Sequence, residues 1–532
     1  MKDQSFYGPL MGAAVVLSAV LCFLCRQLLL SPLSKIPKAH WSSGISSVWI
    51  LWQRWNGREL QKTLEAHQKF GPIVRLGPSD LSVSCYQDGI RKIYGGGFDK
   101  PAYYDFFTYY GKRNTFSSRS KHQHAFHRRN MSTPYTKSSL FGSPELLAMT
   151  KRTIYERLIP RLAQESRSSR PSEILELSYA LCLDLITQFI FGFSNASNFL
   201  QEPAAKMHEW LEHYDNRFCP ESFWTQELPR MTRLLSLLGI DLMPKGHAES
   251  TQWIEDWTMK MYEGAARTLQ SKVENQEDTP LVFNAVFTAW EKTQLGENTR
   301  SLNLSVASEL FDNMTGAREV LGLVLAYTIY YIARHPTAQQ TLREELRAAR
   351  VDMSIHRKQD GSAAADDVYM PAPQALDKLP YLSAVLQESF RMRPNSTPLP
   401  RITPEDRAVS LAGYGGIPPG TRVNSFQWFV HRDPTRWEAV DEWRPERWLE
   451  DDSRSNFRPD NAKQSDEARL WAFGSGPRIC VGVHLTQYLM RYIIASIFTN
   501  FKVSVVEPGS FGRHAAGSLE DKLWLRFEEL AA

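Results

Sequence analysis

From residue 8 to residue 25 the chain carries no charge, and beyond Arg26 the apolar character continues to Leu30. An α-helix needs about 20 apolar residues to cross the hydrocarbon core of a bilayer, so this stretch is long enough to span one. It exceeds the roughly 7–15 apolar residues of a cleaved signal peptide, and no small-x-small cleavage pattern follows it. Lys2 and Asp3 cancel before the stretch, whereas Arg26, Lys35 and Lys38 come after it. Cations collect on the cytosolic side of membrane helices, so the pattern predicts one span with the remaining chain in the cytosol. Pro32 and Pro37 stiffen the exit from the span. The expected division is an anchor and hinge over residues 1–34 and a globular region over 35–532. A later apolar run at 320–333 has Arg318, Glu319 and Arg334 at its ends and reads as a buried core helix.

Helical periodicity dominates residues 146–350. The stretch 173–192 repeats apolar positions with a helical period and stops at Gly192. Residues 304–334 read as one long helix closed by His335-Pro336, 382–392 as a shorter one ended before Pro394, and 485–498 as another. Strand signals are fewer. Residues 72–76 and 81–84 flank a Gly77-Pro78 turn, and 408–424 reads as a hairpin-rich patch. Residues 351–373 and 451–467 are polar and read as surface loops. The pattern predicts one large, mainly α domain with a small β-sheet region.

Composition narrows the chemistry. The 532 residues carry 62 Lys and Arg against 58 Asp and Glu, a formal charge of +4. That balance argues against a dedicated nucleic-acid binder. Six cysteines in so long a chain make no disulfide scaffold, and no second CxxC or HxxxH completes a zinc site. Cys22 and Cys25 lie inside the apolar run, where a redox role has no place. The chain has no Gly-x-Gly-x-x-Gly fingerprint for a dinucleotide, and Gly95-Gly96-Gly97 reads as a turn.

The most informative segment runs from Phe473 to Gly482. One cysteine, Cys480, sits in a loop with Gly474, Gly476 and Gly482, just ahead of a helical run. The glycines let the backbone turn tightly and approach a flat ligand. A helix N-terminus favours a thiolate. A thiolate can ligate haem iron, and Arg478 can pair with a haem propionate. The bland alternative is a structural cysteine in a glycine-rich turn. Against it stands agreement at every fixed position with the haem-thiolate signature Phe-x-x-Gly-x-Arg-x-Cys-x-Gly.

With these residues the chain resembles the cytochrome P-450 family along its whole length, anchor included. The resemblance implies that fold, preceded by an N-terminal transmembrane helix, with haem b held by Cys480, Arg478, Phe473, Gly476 and Gly482. Glu388 and Arg391 share a helix face and fit the family's Glu-x-x-Arg. Arg447, in Arg444-Pro445-Glu446-Arg447-Trp448, completes the buried charge network that supports the thiolate loop in the family. His124 and Arg128 resemble the pair that holds haem propionates; spacing alone selects Arg128 over Arg129. Counting back from His335-Pro336 places Gly316, Ala317, Glu319 and Val320 on the family's oxygen-side segment, as candidate catalytic positions. Gly316 and Ala317 leave room for dioxygen, and Glu319 keeps the acid.

Val320 stands where the family usually has Thr. A hydroxyl relays protons and hydrogen-bonds dioxygen, and an isopropyl group does neither. Protons could come through Glu319 and ordered water, a substrate hydroxyl or amide could fill the gap, or the chemistry could depart from hydroxylation. Thr315 could substitute only if the helix bulges. Seven aromatic residues at 103–116 suggest a lid over a bulky apolar or aromatic substrate. Segments 210–245, 305–320, 395–400 and 508–518 match other substrate-facing regions by position. The resemblance also implies a separate NADPH-cytochrome P-450 reductase as the source of electrons, with NADPH and flavins entering only through it. Arg469 and Arg478 are candidate contacts for that partner.

The expected protein is thus a single-pass endoplasmic-reticulum enzyme with a cytosolic catalytic domain, acting on a small molecule in the manner of fungal specialised-metabolite members. The rival readings are a haem-thiolate isomerase or dehydratase without an O2 requirement, and a non-catalytic haem-binding protein. Removing residues 1–34 is expected to release the protein from alkaline-washed membranes, measured by sedimentation. A truncated chain that stays bound as firmly as the full one overturns the anchor.

Overall fold

The computed structural model describes residues 15, 18, 30–168, 170–271, 275–293, 298–355, 369–394, 397–449, 470–506 and 522–530. Of the expected membrane span only Val15, Ser18 and Leu30 are among them, and the 451–467 loop, Arg469 and the 508–518 segment lie outside. By packing, the chain falls into two compact units, one within Met1–Pro101, Ser396–Val430 and Gly474–Arg478, the other within Ala102–Asn395, His431–Phe473 and Ile479–Ala532.

The first unit holds most of the strands. Ile73–Gly77 and Asp80–Val83 pair antiparallel about the expected turn, with Ile73 opposite Val83. Asp80–Val83 then pairs in parallel with Arg422–Asn424, which pairs antiparallel with Arg401–Ile402. This corrects the reading of 408–424 as one hairpin-rich patch. Only Val409–Leu411 and Tyr414–Ile417 form a hairpin there. Val423 is fully buried, and between Leu81 and Arg401 it is paired on both sides. Every residue of Ile73–Gly77 is buried, including Arg75, whose guanidinium donates to the Gly77 and Pro78 carbonyls at 3.2 and 2.7 Å. A buried cation satisfied by backbone oxygens is tolerated where a bare one is not.

The second unit is mainly helical, with one sheet ordered Ser172–Glu173, Trp524–Glu529, Phe501–Val505. Its core is built on the Ile174–Phe191 helix, all but one of whose residues are buried. Glu173 starts it, its carboxylate accepting the Leu175 and Glu176 N–H groups. Gly192 ends it at φ +86°, where a Cβ would meet the Asp278 carbonyl oxygen at 2.3 Å. Among the described residues this is the one helix long and apolar enough to cross a membrane, but 94% of that window is buried inside the protein. Asp184 explains how a carboxylate survives there. It accepts from Ser197 Oγ and from the Phe199 and Leu200 N–H groups at 2.8–3.0 Å, and burial raises its pKa to about 6.

The helix expected over 304–334 begins earlier, at Thr299 after the cap Asn298, and is not continuous. Thr299–Gly316 and Leu323–Arg334 are α-helical, and Ala317–Gly322 between them is a π-turn. Such turns fit one extra residue into a helix and concentrate at functional sites. The expected surface loop at 351–373 also needs correcting at its start. Met353 is fully buried, and its carbonyl accepts from Tyr155 Oη and Asn500 Nδ2 at 3.2 and 2.9 Å.

Candidate active site at Cys480

Within the second unit, Trp471 is fully buried and Phe473 packs edge-on against Phe390 at 4.9 Å. The Cys480 N–H donates to the Phe473 carbonyl at 2.9 Å, and the Val483–Asn500 helix begins directly after Gly482. The Cys480 thiol is open to solvent-sized contact although protein surrounds it, and burial raises its pKa. The Gly482 N–H and the charge of Arg128 act in the opposite direction, and Asp312 adds to the rise. Arg128 itself donates to the Ile479 carbonyl at 2.9 Å. Arg129, next along the Lys121–Met131 helix, is exposed, and His124 is buried. The geometry thus separates two arginines that spacing could barely tell apart.

Behind the loop lies Glu388, fully buried on the Pro380–Met392 helix. Arg391 grips it with two bonds, Nε to Oε2 at 2.9 Å and Nη2 to Oε1 at 2.7 Å. Arg447 Nε, the Arg444 N–H and Trp448 Nε1 donate to the same carboxylate at 2.9–3.1 Å. The spare N–H groups of Arg391 reach the His431, Val440 and Glu442 carbonyls. His431 carries the network onward. Its Nε2 accepts the Trp471 N–H at 2.9 Å, and burial lowers its pKa well below the usual 6.5, so the ring is neutral and can accept. Sequence reasoning gave His431 no role; its signal was its place in His431-Arg432-Asp433-Pro434.

The other two predicted loop residues belong to the first unit. Gly476 has φ +69°, and a Cβ there would meet the Tyr94 carbonyl oxygen at 2.5 Å, so only glycine fits. Arg478 Nη2 lies 3.7 Å from Asp99 Oδ1.

On the Thr299–Gly316 helix and the π-turn, Gly316 is exposed with nothing within 4 Å of where its Cβ would be. Ala317, Glu319 and Val320 are half-buried. Arg318 is buried between the Tyr179 and Tyr214 rings, 4.5 Å from each centroid, and its Nη1 bonds Glu319 Oε1 at 2.6 Å. The acid expected at 319 is therefore an ion-pair partner, and the carboxylate whose charge reaches Cys480 is Asp312, one turn before Gly316. Tyr109, its ring tilted 33° to that of Phe311 with centroids 4.1 Å apart, is also a close neighbour of Thr315. Asp312, Tyr109 and Thr315 were missed as a group, because only folding brings position 109 to this helix.

The aromatic stretch opens with a 3-10 turn, Ala102–Phe107, whose rings meet edge to face. Polar bonds tie residues 112–115 to the Thr299–Gly316 helix. Lys112 Nζ donates to Ser301 Oγ at 2.7 Å, and buried Glu309 accepts from Thr115 N and Oγ1 and from His127. A groove of about 530 Å³ lined by Arg157, Arg161, Gln164 and Met207 contains none of the predicted site residues. No His, Cys, Asp and Glu group among the described residues could hold a metal ion alone.

The sequence matches the Cytochrome P450 family model over residues 42–515. It is 24% identical to the Cytochrome P450 monooxygenase hepC of Aspergillus oryzae, over 93% of this chain and 92% of that protein. It is 25% identical to the Cytochrome P450 monooxygenase sdnE of Sordaria araneosa, over 95% and 93% respectively. It is also 24% identical to the Tryprostatin B 6-hydroxylase of Aspergillus fumigatus, over 95% and 81%. With that coverage, and with a buried carboxylate shared by two arginines behind the cysteine loop, the chain belongs to the cytochrome P450 family. It is an oxidoreductase of the monooxygenase class, and the family's cofactor is haem.

Glu388→Gln removes the charge that both buried guanidiniums share. Breaking one partner out of such a network is expected to cost about 3–5 kcal/mol. The thermal midpoint of the holoprotein and its haem content after gel filtration should both fall. Unchanged values would mean that the network does not support the Cys480 loop.

Proposed function

We propose that the chain is a haem-thiolate monooxygenase that oxidises a bulky apolar or aromatic small molecule in fungal specialised metabolism. The observation that carries this reading is the accessible Cys480 thiol, bonded by the Gly482 N–H in a loop tied back to the Glu388 network. The residues fit haem. The Cys480 sulfur would be a suitable donor to the haem iron, and an N–H aimed at it would stabilise the thiolate form. Haem with a thiolate ligand supplies dioxygen activation, the sulfur's electron density favouring O–O cleavage.

In this reading Cys480 ligates the iron, Phe473 and Gly482 flank the sulfur, and Gly476 lets the loop turn. Arg478, Arg128 and His124 pair with the propionates. Glu388, Arg391 and Arg447 hold the loop still. Gly316 and Ala317 leave space on the oxygen side. Val320 offers no hydroxyl, so proton supply rests on Glu319 with ordered water or on a group of the substrate itself. Two electrons come from a membrane-bound NADPH reductase, since the chain carries no dinucleotide fingerprint. The first 34 residues anchor the enzyme in the endoplasmic reticulum membrane, with residues 35–532 as the catalytic region in the cytosol. The organisms of the relatives above support the fungal assignment.

Two substitutions test this. Cys480→Ser is expected to abolish the red-shifted Soret band of the ferrous–CO complex while circular dichroism stays native. Retention of that band would end the thiolate assignment. Val320→Thr is expected to keep haem binding and change the fraction of NADPH electrons recovered in product. Identical coupling in both proteins would deny position 320 any part in proton supply.

A further inference from the structure

Arg217 closes the Ala204–Arg217 helix, and only 5% of it is exposed. Its Nη2 donates to the Phe106 carbonyl at 2.7 Å. Among the described residues its Nε and Nη1 have no hydrogen-bond partner. A guanidinium is always charged and offers five N–H groups in a rigid fork, so this arrangement leaves the Nε–H and both Nη1–H groups without an acceptor. Among the described residues no carboxylate forms an ion pair with it. Glu255 is near enough for its charge to be felt, but its Oε1 already accepts the Tyr110 N–H at 2.8 Å.

Other buried arginines of this unit have a carboxylate partner. Arg391 and Arg447 share Glu388, and Arg318, although its Nε is unpartnered, pairs with Glu319. Around Arg217 stand aromatic rings instead, with Phe106, Phe218 and Tyr109 centred 4.1, 5.2 and 5.8 Å from it. Ring faces attract a cation, and the C-terminal end of a helix favours one. Neither supplies in-plane acceptors to the fork, and buried unpaired donors are rare in native proteins without a functional reason. His247, beside the Arg217 backbone, adds a third unpartnered buried atom at this corner, its Nε2.

The position of the corner matters. The Tyr109 ring centre lies 5.8 Å from the Arg217 guanidinium and 4.1 Å from the centre of the Phe311 ring, so one ring links the guanidinium to the helix that carries Gly316. Phe106 and Phe218, which cover it, are only half-buried. The bond to Phe106 ties Arg217 to the aromatic stretch that the sequence marked as a lid.

We propose that Arg217 is a specificity-determining residue that binds a carboxylate at the end of the substrate remote from the site of oxidation, within an aromatic cage formed by Phe106, Tyr109 and Phe218. The inference rests on the monooxygenase reading above and narrows its substrate class from a bulky apolar molecule to a bulky apolar acid. The carboxylate enters by displacing a ring of Phe106 or Phe218 and takes the vacant Nε–H and Nη1–H donors. The charge that the fold leaves unpaired is then neutralised by substrate, and an uncharged analogue of the same shape leaves it exposed to no acceptor.

The test uses holoenzyme and a panel of arylalkanoic acids graded in chain length and ring number, each beside its methyl ester. Affinity is measured by calorimetry and by the Soret shift. Hydrogen bonds to charged groups predict that wild type holds at least one acid about tenfold or more tighter than its ester, and that Arg217→Gln narrows this to about twofold or less. Gln keeps an N–H for the Phe106 carbonyl while losing the charge, and Arg217→Lys should retain part of the preference. The thermal midpoint of Arg217→Gln without ligand should equal or exceed that of wild type, because an unpaired buried charge has gone. The proposal falls if no acid outbinds its ester, if Arg217→Gln keeps the preference, or if Arg217→Gln melts well below wild type with acids and esters binding alike. The ferrous–CO spectrum of the same samples reports on haem-thiolate ligation separately, so a missing thiolate band beside an intact acid preference would sink the monooxygenase reading and leave the binding site standing.

Discussion

One carboxylate organises the rear of the Cys480 loop. The two oxygens of Glu388, itself fully buried, accept from Arg391, Arg447, Trp448 and the Arg444 backbone. Such a network is a poor source of net stability, because desolvating its charges offsets most of their attraction. Its value is positional. Fully satisfied, it has one geometry, and through Arg391 and His431 it hands that geometry to the Trp471 backbone. Two residues later Phe473 receives the Cys480 N–H. The sulfur is thus held at the end of a chain of directional bonds, not by packing alone.

The oxygen-side helix is organised by a second buried carboxylate. Glu309 takes the Thr115 backbone, the Thr115 hydroxyl and His127, while Asn114 and Lys112 bond serines of the same helix. The aromatic rings at 103–116 supply apolar bulk, but these polar ties fix where the bulk sits. Tyr110 adopts φ 51°, uncommon for a large residue, and its N–H is taken by Glu255. Strain of this kind persists where surrounding bonds over-determine the backbone.

Much of this was legible in order along the chain. Glu388, Arg391, Arg447 and Cys480 declare themselves because their chemistry needs fixed spacings. The 174–191 helix announces its end through the glycine at 192, while the cap at Glu173 shows only in the structure. What stayed hidden depends on distant partners. Val423 alternates like a hairpin strand, and only its burial between two other strands reveals its sheet. His431 looks like part of a loop motif until Trp471 is beside it. Arg217 lies in the 210–245 stretch that position alone marks as substrate-facing, and the rings that surround it come from positions 106 and 109, far along the chain. Asp312 and Thr315 sit in a helix whose phase no local signal discloses, since nothing in Ala317–Gly322 marks a wider turn.

That wider turn sets the angular relation between the two halves of the helix. An α-helix advances about 100° per residue, and a π-turn absorbs one additional residue within itself, so residues before it face about 100° away from where an unbroken α-helical count would put them. Glu309, with its grip on the 114–115 backbone, and Asp312 lie on one side of the wide turn, whereas the long buried stretch to Arg334 lies on the other. A lineage that lost a single residue here could close the turn to regular α-helix and keep both faces, whereas closing it with the same residue count would turn the lid attachments away from their partners. Loop docking and core packing are therefore clocked to each other by one inserted peptide unit.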